Sequence, residues 1–238
     1  MIKIENITKD FGNDAGNFGI SLSIKEGEIY GIMGANGSGK STLLRQILGF
    51  LKPDSGEIYV NNKDPFNNSQ ILMSYIGYIP GELSLFNTIT GISYLKICAN
   101  LKGNVDWSFV EKLINFFKLD VNKKIKKMSS GMKQKLAIIS ALMHKPKILV
   151  LDEPTRGLDI SATEQFKEII LIFKNEFKST IIFCSHVFDE INDTCDKVIF
   201  INQGRFVKEF LIDENSNFKV IKEEFLLMNK IQEAKELF

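Results

Sequence analysis

Ile2, Ile4 and Ile7 stand between polar residues at the start of the chain, and Ile20-Ser-Leu-Ser-Ile24 repeats the alternation before the Glu26-Gly27 turn. A period of two places alternate side chains on one face, so both stretches predict half-buried strands, together an antiparallel N-terminal sheet. Glu28 to Met33 reads as a further, mainly apolar strand, and two other runs are continuously apolar: Ile148-Leu-Val-Leu151 and Ile181-Ile-Phe-Cys184. Continuous runs are what parallel strands buried on both faces require. Helical spacing alternates with them, first from about Lys40 to Leu48, where Gly49 and Pro53 supply the stop signal. The core is therefore expected to be α/β.

From Ile92 to about Met143 the pattern turns helical, interrupted by the polar stretch Asn122 to Lys127. Asp106 reads as the N-cap of a helix carrying Val110, Leu113, Ile114 and Phe117 at helical spacing. Trp107, the sole Trp, is expected to pack on this lobe rather than stack on a base. Lys123-Lys124 and Lys126-Lys127 read as a solvated loop, with anion binding as the alternative. Asn202-Gln-Gly204 reads as a hairpin turn. Phe218, Ile221, Phe225 and Met228 predict a terminal helix whose apolar face docks on this chain or on a partner.

Composition narrows the chemistry. The 238 residues carry a formal net charge of +1, and of the 30 basic residues only Arg45, Arg156 and Arg205 are arginine. No electrostatic case for nucleic acid follows, so any phosphate recognition must be local. Cys98, Cys184 and Cys195 are odd in number and lack ligand spacing, which fits reduced thiols of a cytosolic protein. No apolar run approaches the roughly 20 residues that span a bilayer, and Met1 to Glu5 is no signal peptide. The expectation is a chain outside the bilayer that meets a membrane only through a partner.

Between the strand ending at Met33 and the helix beginning at Lys40, Gly34, Ala35, Asn36, Gly37, Ser38, Gly39, Lys40 and Ser41 match the phosphate-loop pattern G-x-x-x-x-G-K-[ST]. The glycines let successive N–H groups point inward at a triphosphate, and the helix N-terminus adds partial positive charge. Lys40 is placed to reach the β and γ phosphates, and the Ser41 hydroxyl to ligate Mg²⁺. Lys147-Ile-Leu-Val-Leu-Asp152-Glu153 ends a buried strand in two carboxylates. That pattern assigns Asp152 to the metal and Glu153 to the attacking water, as base or positioner.

Met128-Ser129-Ser130-Gly131-Met132 precedes the helical pattern from Leu136 to Met143, and Pro154, Gly157-Leu158-Asp159 and Ser185-His186 follow in order. With these motifs the chain closely resembles the ATP-binding subunit of an ABC transporter, over nearly all of residues 1–212. The resemblance implies a P-loop NTPase fold: an α/β core with an N-terminal antiparallel β-subdomain and a helical subdomain near residues 84–145, followed by a helical extension over residues 213–238. It implies ATP and Mg²⁺ as ligands, with Gly34 to Ser41 and Thr42 around the phosphates. Phe11 would stack on adenine, a core phenylalanine being the alternative. Ser129, Ser130, Gly131 and Met132 correspond to a signature that meets the nucleotide of an opposite subunit, and Asp159 lies in the adjoining loop. Here Ser130 and Met132 replace the signature's first Gly and its Gln. His186 corresponds to a switch histidine facing the γ-phosphate, whereas His144 has no such context and reads as incidental.

One departure touches the metal. Gly81 stands where a Mg²⁺-contacting glutamine is often found, and Glu82 is the available oxygen ligand. The implied partners are a membrane permease subunit, most similar to the six-helix export type, and a second ATP-binding subunit, identical or not. Docking is expected near Leu83, Leu85 and Phe86, with the chain at the cytoplasmic face of the membrane. The alternatives are a soluble ABC ATPase acting on nucleic acid or ribosomes, and a nucleotide sensor without turnover.

Overall fold

The two hydrophobic periods sort into two sheets in the computed structural model, which describes residues 2–212 and 222–223. β1 (Ile2–Asp10), β2 (Gly16–Ile24) and β4 (Ser55–Val60) form an antiparallel sheet in the order β2-β1-β4. Its apolar positions, Ile2, Ile4, Ile20, Leu22, Ile24 and Ile58, are buried against Leu43, Leu44 and Ile47 of helix α1 (Lys40–Ile47). The continuous runs lie in the second sheet as β3 (Ile29–Met33), β6 (Ile148–Asp152) and β7 (Thr180–Cys184), joined there by β5 (Ile76–Ile79), β8 (Lys197–Asn202) and the largely exposed β9 (Arg205–Leu211). Their order is β5-β6-β7-β3-β8-β9, parallel except for β9. Every residue of β3, β6 and β7 is buried, as strands covered on both faces require. The first of these runs starts one residue late as a strand, because Glu28 is spent on a turn: its carboxylate accepts from Lys25 N–H at 2.9 Å.

Helix α2 (Ser69–Tyr75) leads into β5, and α3 (Gly91–Lys102), α4 (Trp107–Phe116) and α5 (Ser130–Leu142) form the helical lobe. The Asp106 carboxylate caps α4 by accepting from Ser108 N–H at 3.0 Å. Trp107 packs, half-buried, on the lobe's core. The lysines at 123, 124, 126 and 127 are exposed around buried Ile125, whose N–H donates to the Ile89 carbonyl at 2.9 Å. The run is thus a solvated but tethered loop. α6 (Ile160–Phe177) and α7 (Phe188–Thr194) cover the sheet, Phe166 meeting Phe183 of β7 edge to face. Gln203 and Gly204 make the β8–β9 turn with φ of 46° and 69°, the two left-handed residues of a tight hairpin. Three free cysteines are present, as expected. The helix expected over Phe218 to Met228 lies outside the described residues.

His144 is not incidental to the fold. Lys102, the last residue of α3, donates to the Met73 and Ile76 carbonyls at 2.5 and 2.8 Å, and His144 Nε2 donates to the same Ile76 carbonyl at 3.2 Å. A cation at the carboxyl end of α2 is also favoured by the helix dipole. Burial and the Lys102 charge push the imidazole down to about 4. An unfolded chain takes up a proton on this ring near pH 6.5, and the folded chain does so only near pH 4. Acidification through that window therefore removes stability. His144→Gln, which keeps a donor but cannot titrate, is expected to lose less stability between pH 7 and pH 5 than the wild type. Urea unfolding at both pH values checks this, and equal losses would contradict it.

Candidate functional site

β6, β7 and β3 are adjacent and parallel, so their carboxyl ends open at one edge of the sheet, where ligands of open α/β sheets bind. The residue runs that follow each strand meet there. After β3 the chain turns through residues 34–39 into α1, with Gly39 at the N-cap and φ of 103°. Only glycine fits at position 34, since a Cβ there would lie 2.3 Å from the Ile201 carbonyl oxygen. Lys40 is buried and folds back over this loop, its Nζ donating to the Gly34 and Ala35 carbonyls at 2.7 and 2.9 Å.

From β6, Asp152 is buried and accepts a hydrogen bond from Ser41 Oγ at 2.6 Å. The next residue, Glu153, adopts a φ of 49° while its N–H donates to the Cys184 carbonyl at 2.9 Å. This left-handed step turns its carboxylate away from the sheet, where Oε2 lies 2.6 Å from His186 Nδ1. His186 is itself presented by a fixed turn after β7. Ser185 Oγ donates to buried Glu190 at 2.8 Å and accepts from Val187 N–H at 3.0 Å.

A cleft of about 480 Å³ is lined by Phe11, residues 36–42, Gly81, Glu82, Asp152 and Glu153, whereas Gly34, Ala35 and His186 stand outside that lining, His186 joined to it through its bond to Glu153. Phe11 sits in the β1–β2 turn with 55% of its surface exposed, which disposes of the core alternative. Arg45, Tyr78, Pro80 and Arg156 also line the cleft, although no motif in the sequence marks them as site residues. Helical spacing could have found Arg45, four residues beyond Ser41 on the same face. Tyr78 marks the wall by its ionisation: burial, then the Asp152 charge, pushes its hydroxyl up. Burial, then the Asp152 charge, also pushes up the Cys184 thiol beneath the site.

Ser129, Ser130, Gly131, Met132 and Asp159 do not line the cleft. Ser129 caps α5, accepting from Met132 N–H at 3.2 Å, and Asp159 caps α6, accepting from Ala162 N–H at 2.8 Å. The two helix starts touch, because a Cβ on Gly131 would lie 2.8 Å from the Gly157 carbonyl oxygen. Gln134, buried in α5, secures this contact by donating to the Pro154 carbonyl at 2.6 Å. No group of three or more His, Cys, Asp or Glu side chains able to cage a metal occurs among the described residues. Ser41 and Asp152 do offer adjoining hard oxygens, with Glu82 in the same cleft. That set suits a Mg²⁺ ion whose remaining ligands are phosphate oxygens and water.

Residues 18–156 match the ABC transporter family. The chain is 33% identical over 215 residues to the bacitracin transport ATP-binding protein BcrA of Bacillus licheniformis, covering 90% of this chain and 70% of that one. It is 32% identical to the lantibiotic transport ATP-binding protein SrtF of Streptococcus pyogenes, covering 97% and 99%. Among solved structures, a dimeric ATP-binding cassette in a post-hydrolysis state with ADP and phosphate superposes with a TM-score of 0.81 at 26% identity, covering 90% of this chain and 99% of that one.

Gly81 abuts the Ser41–Asp152 pair, since a Cβ there would lie 3.1 Å from Asp152 Oδ2 and 3.2 Å from its Cγ. Gly81→Ala is therefore expected to destabilise the protein by about 1 kcal/mol through overpacking. Chemical denaturation measures it, and an unchanged midpoint would mean that this segment yields without cost.

Proposed function

Because this chain belongs to the ABC transporter family and is an ATP-binding, ATP-hydrolysing subunit, we propose that the cleft at the carboxyl ends of β3, β6 and β7 is where hydrolysis occurs. The observation carrying this reading is the Glu153–His186 pair at 2.6 Å beside the Ser41–Asp152 pair, both at the mouth of the phosphate loop. Glu153 accepts a proton from the attacking water, and His186 orients the carboxylate and faces the γ-phosphate. Loop N–H groups and Lys40 hold the β and γ phosphates, and Phe11 stacks on adenine. Ser41 and Asp152, with Glu82, would hold Mg²⁺, which offsets phosphate charge when bound.

The signature residues Ser129 to Met132 and Asp159 lie outside their own cleft. In the proposed assembly they face the nucleotide of a second ATP-binding subunit arranged head to tail, so two ATP molecules close the pair and hydrolysis reopens it. No helix among the described residues is long and apolar enough to cross a membrane. The reading therefore places the translocation path in a separate permease of the export type, with this chain at the cytoplasmic face.

Glu153→Gln is expected to retain ATP binding, slow hydrolysis by orders of magnitude and accumulate as a dimer with ATP and Mg²⁺. Lys40→Ala should weaken binding itself. Steady-state phosphate release and gel filtration separate the two, and wild-type turnover in Glu153→Gln would sink the assignment.

The permease is expected to dock beside β5 and α3. Phe86 is 63% exposed there and makes a tilted ring contact with Tyr94, whereas Leu85 packs against the core. A charge at Leu85 would disturb the fold, which makes Phe86 the cleaner probe. Phe86→Glu should abolish co-purification with the permease while the isolated chain keeps its ATPase rate. Normal capture by the variant would place the docking surface elsewhere.

A further inference from the structure

Two hydrogen bonds reach the phosphate loop from behind, from residues that belong to no motif. Asn17 of β2 is fully buried, and its Nδ2 donates to the Gly39 carbonyl at 3.2 Å. Gly204, in the β8–β9 turn, donates its N–H to the Ser38 carbonyl at 2.9 Å. The two supports are joined, since Phe18 N–H donates to the Gly204 carbonyl at 2.7 Å. A buried amide is costly unless hydrogen-bonded; Asn17 Oδ1 has no partner among the described residues, and the one bond the side chain makes, through Nδ2, is to the loop.

The direction of these bonds matters. In a trans peptide the N–H points away from the C=O of the same planar unit. The Gly39 carbonyl accepts from Leu43 N–H at 3.0 Å as the first bond of α1, and Asn17 adds a second hold on it. With the Ser38 carbonyl held by Gly204, the Gly39 and Lys40 N–H groups turn forward as successive donors suited to cradling a phosphate. The packing leaves little slack. A Cβ on Gly39 would lie 2.5 Å from Asn17 Nδ2, and one on Gly204 would lie 2.2 Å from the Gly16 carbonyl oxygen. Asn17 itself does not line the cleft, so its influence must pass through the loop.

We propose that Asn17, together with the Gly204 turn, is a positioning residue for nucleotide phosphate: a clip between β2 and the β8–β9 hairpin that presets two loop donors. The proposal rests on the nucleotide reading of the cleft given above. Asn17→Leu fills a similar volume without the donor. Its Kd for ADP and for ATP, by calorimetry, is expected to rise about three- to ten-fold, the range that one neutral hydrogen bond spans. In turnover the loss falls on kcat/KM more than on kcat, because phosphate cradling is shared by the ground and transition states. A lowered Tm with unchanged Kd for both nucleotides would overturn the proposal and leave Asn17 a packing residue. Should Asn17→Leu fail to fold, Asn17→Ala, which only removes atoms, carries the same comparison. Wild-type protein that binds neither nucleotide would overturn the nucleotide reading itself; wild-type binding matched by the variant overturns only the clip.

Discussion

Parallel pairing of β6, β7 and β3, each buried along its whole length, forces three strand-to-helix turns to the same edge of the sheet. A buried parallel strand cannot return beside itself without a crossover, so the chain that leaves each carboxyl end must pass over that edge. The phosphate loop and Ser185-His186 directly follow β3 and β7, and Asp152-Glu153 straddles the end of β6. Their convergence follows from strand order, although they are more than a hundred residues apart in sequence at the extremes.

Within the site the charges are held rather than free. Asp152 is buried with Ser41 as its partner, and two of the three Lys40 donors are taken up by loop carbonyls. Glu153 reaches its position through a left-handed backbone step that a non-glycine residue adopts at a cost, and such strain persists where surrounding bonds over-determine it. Here the Cys184 carbonyl and the His186 ring fix that residue from both ends.

The helical lobe is attached at the opposite end of β5 from the cleft. Lys102 and His144 share the Ile76 carbonyl at the strand's start, while Gly81, just past its end, lies against Asp152. One short strand thus spans the distance between the lobe's anchor and Asp152. In the proposed cycle, motion of the lobe relative to the core would pass along this strand, through the Ile76 hydrogen bonds at one end and the Gly81–Asp152 contact at the other.

The sequence by itself determined the phosphate loop, the two acidic residues closing β6, the alternation of the N-terminal sheet, the Asp106 cap and the Asn202 to Gly204 turn. Each depends on residues adjacent in the chain or on a single period of side-chain burial, so the local pattern is sufficient. Tertiary structure alone decided that Phe11 is exposed at the cleft, that Glu153 pairs with His186, and that the signature residues stand outside the cleft they resemble partners of. It also decided that His144 braces the lobe and that Asn17 supports the loop. These are contacts between distant segments, and they are set by which strands lie side by side. Strand order is a property of the packed core, and no local spacing encodes it.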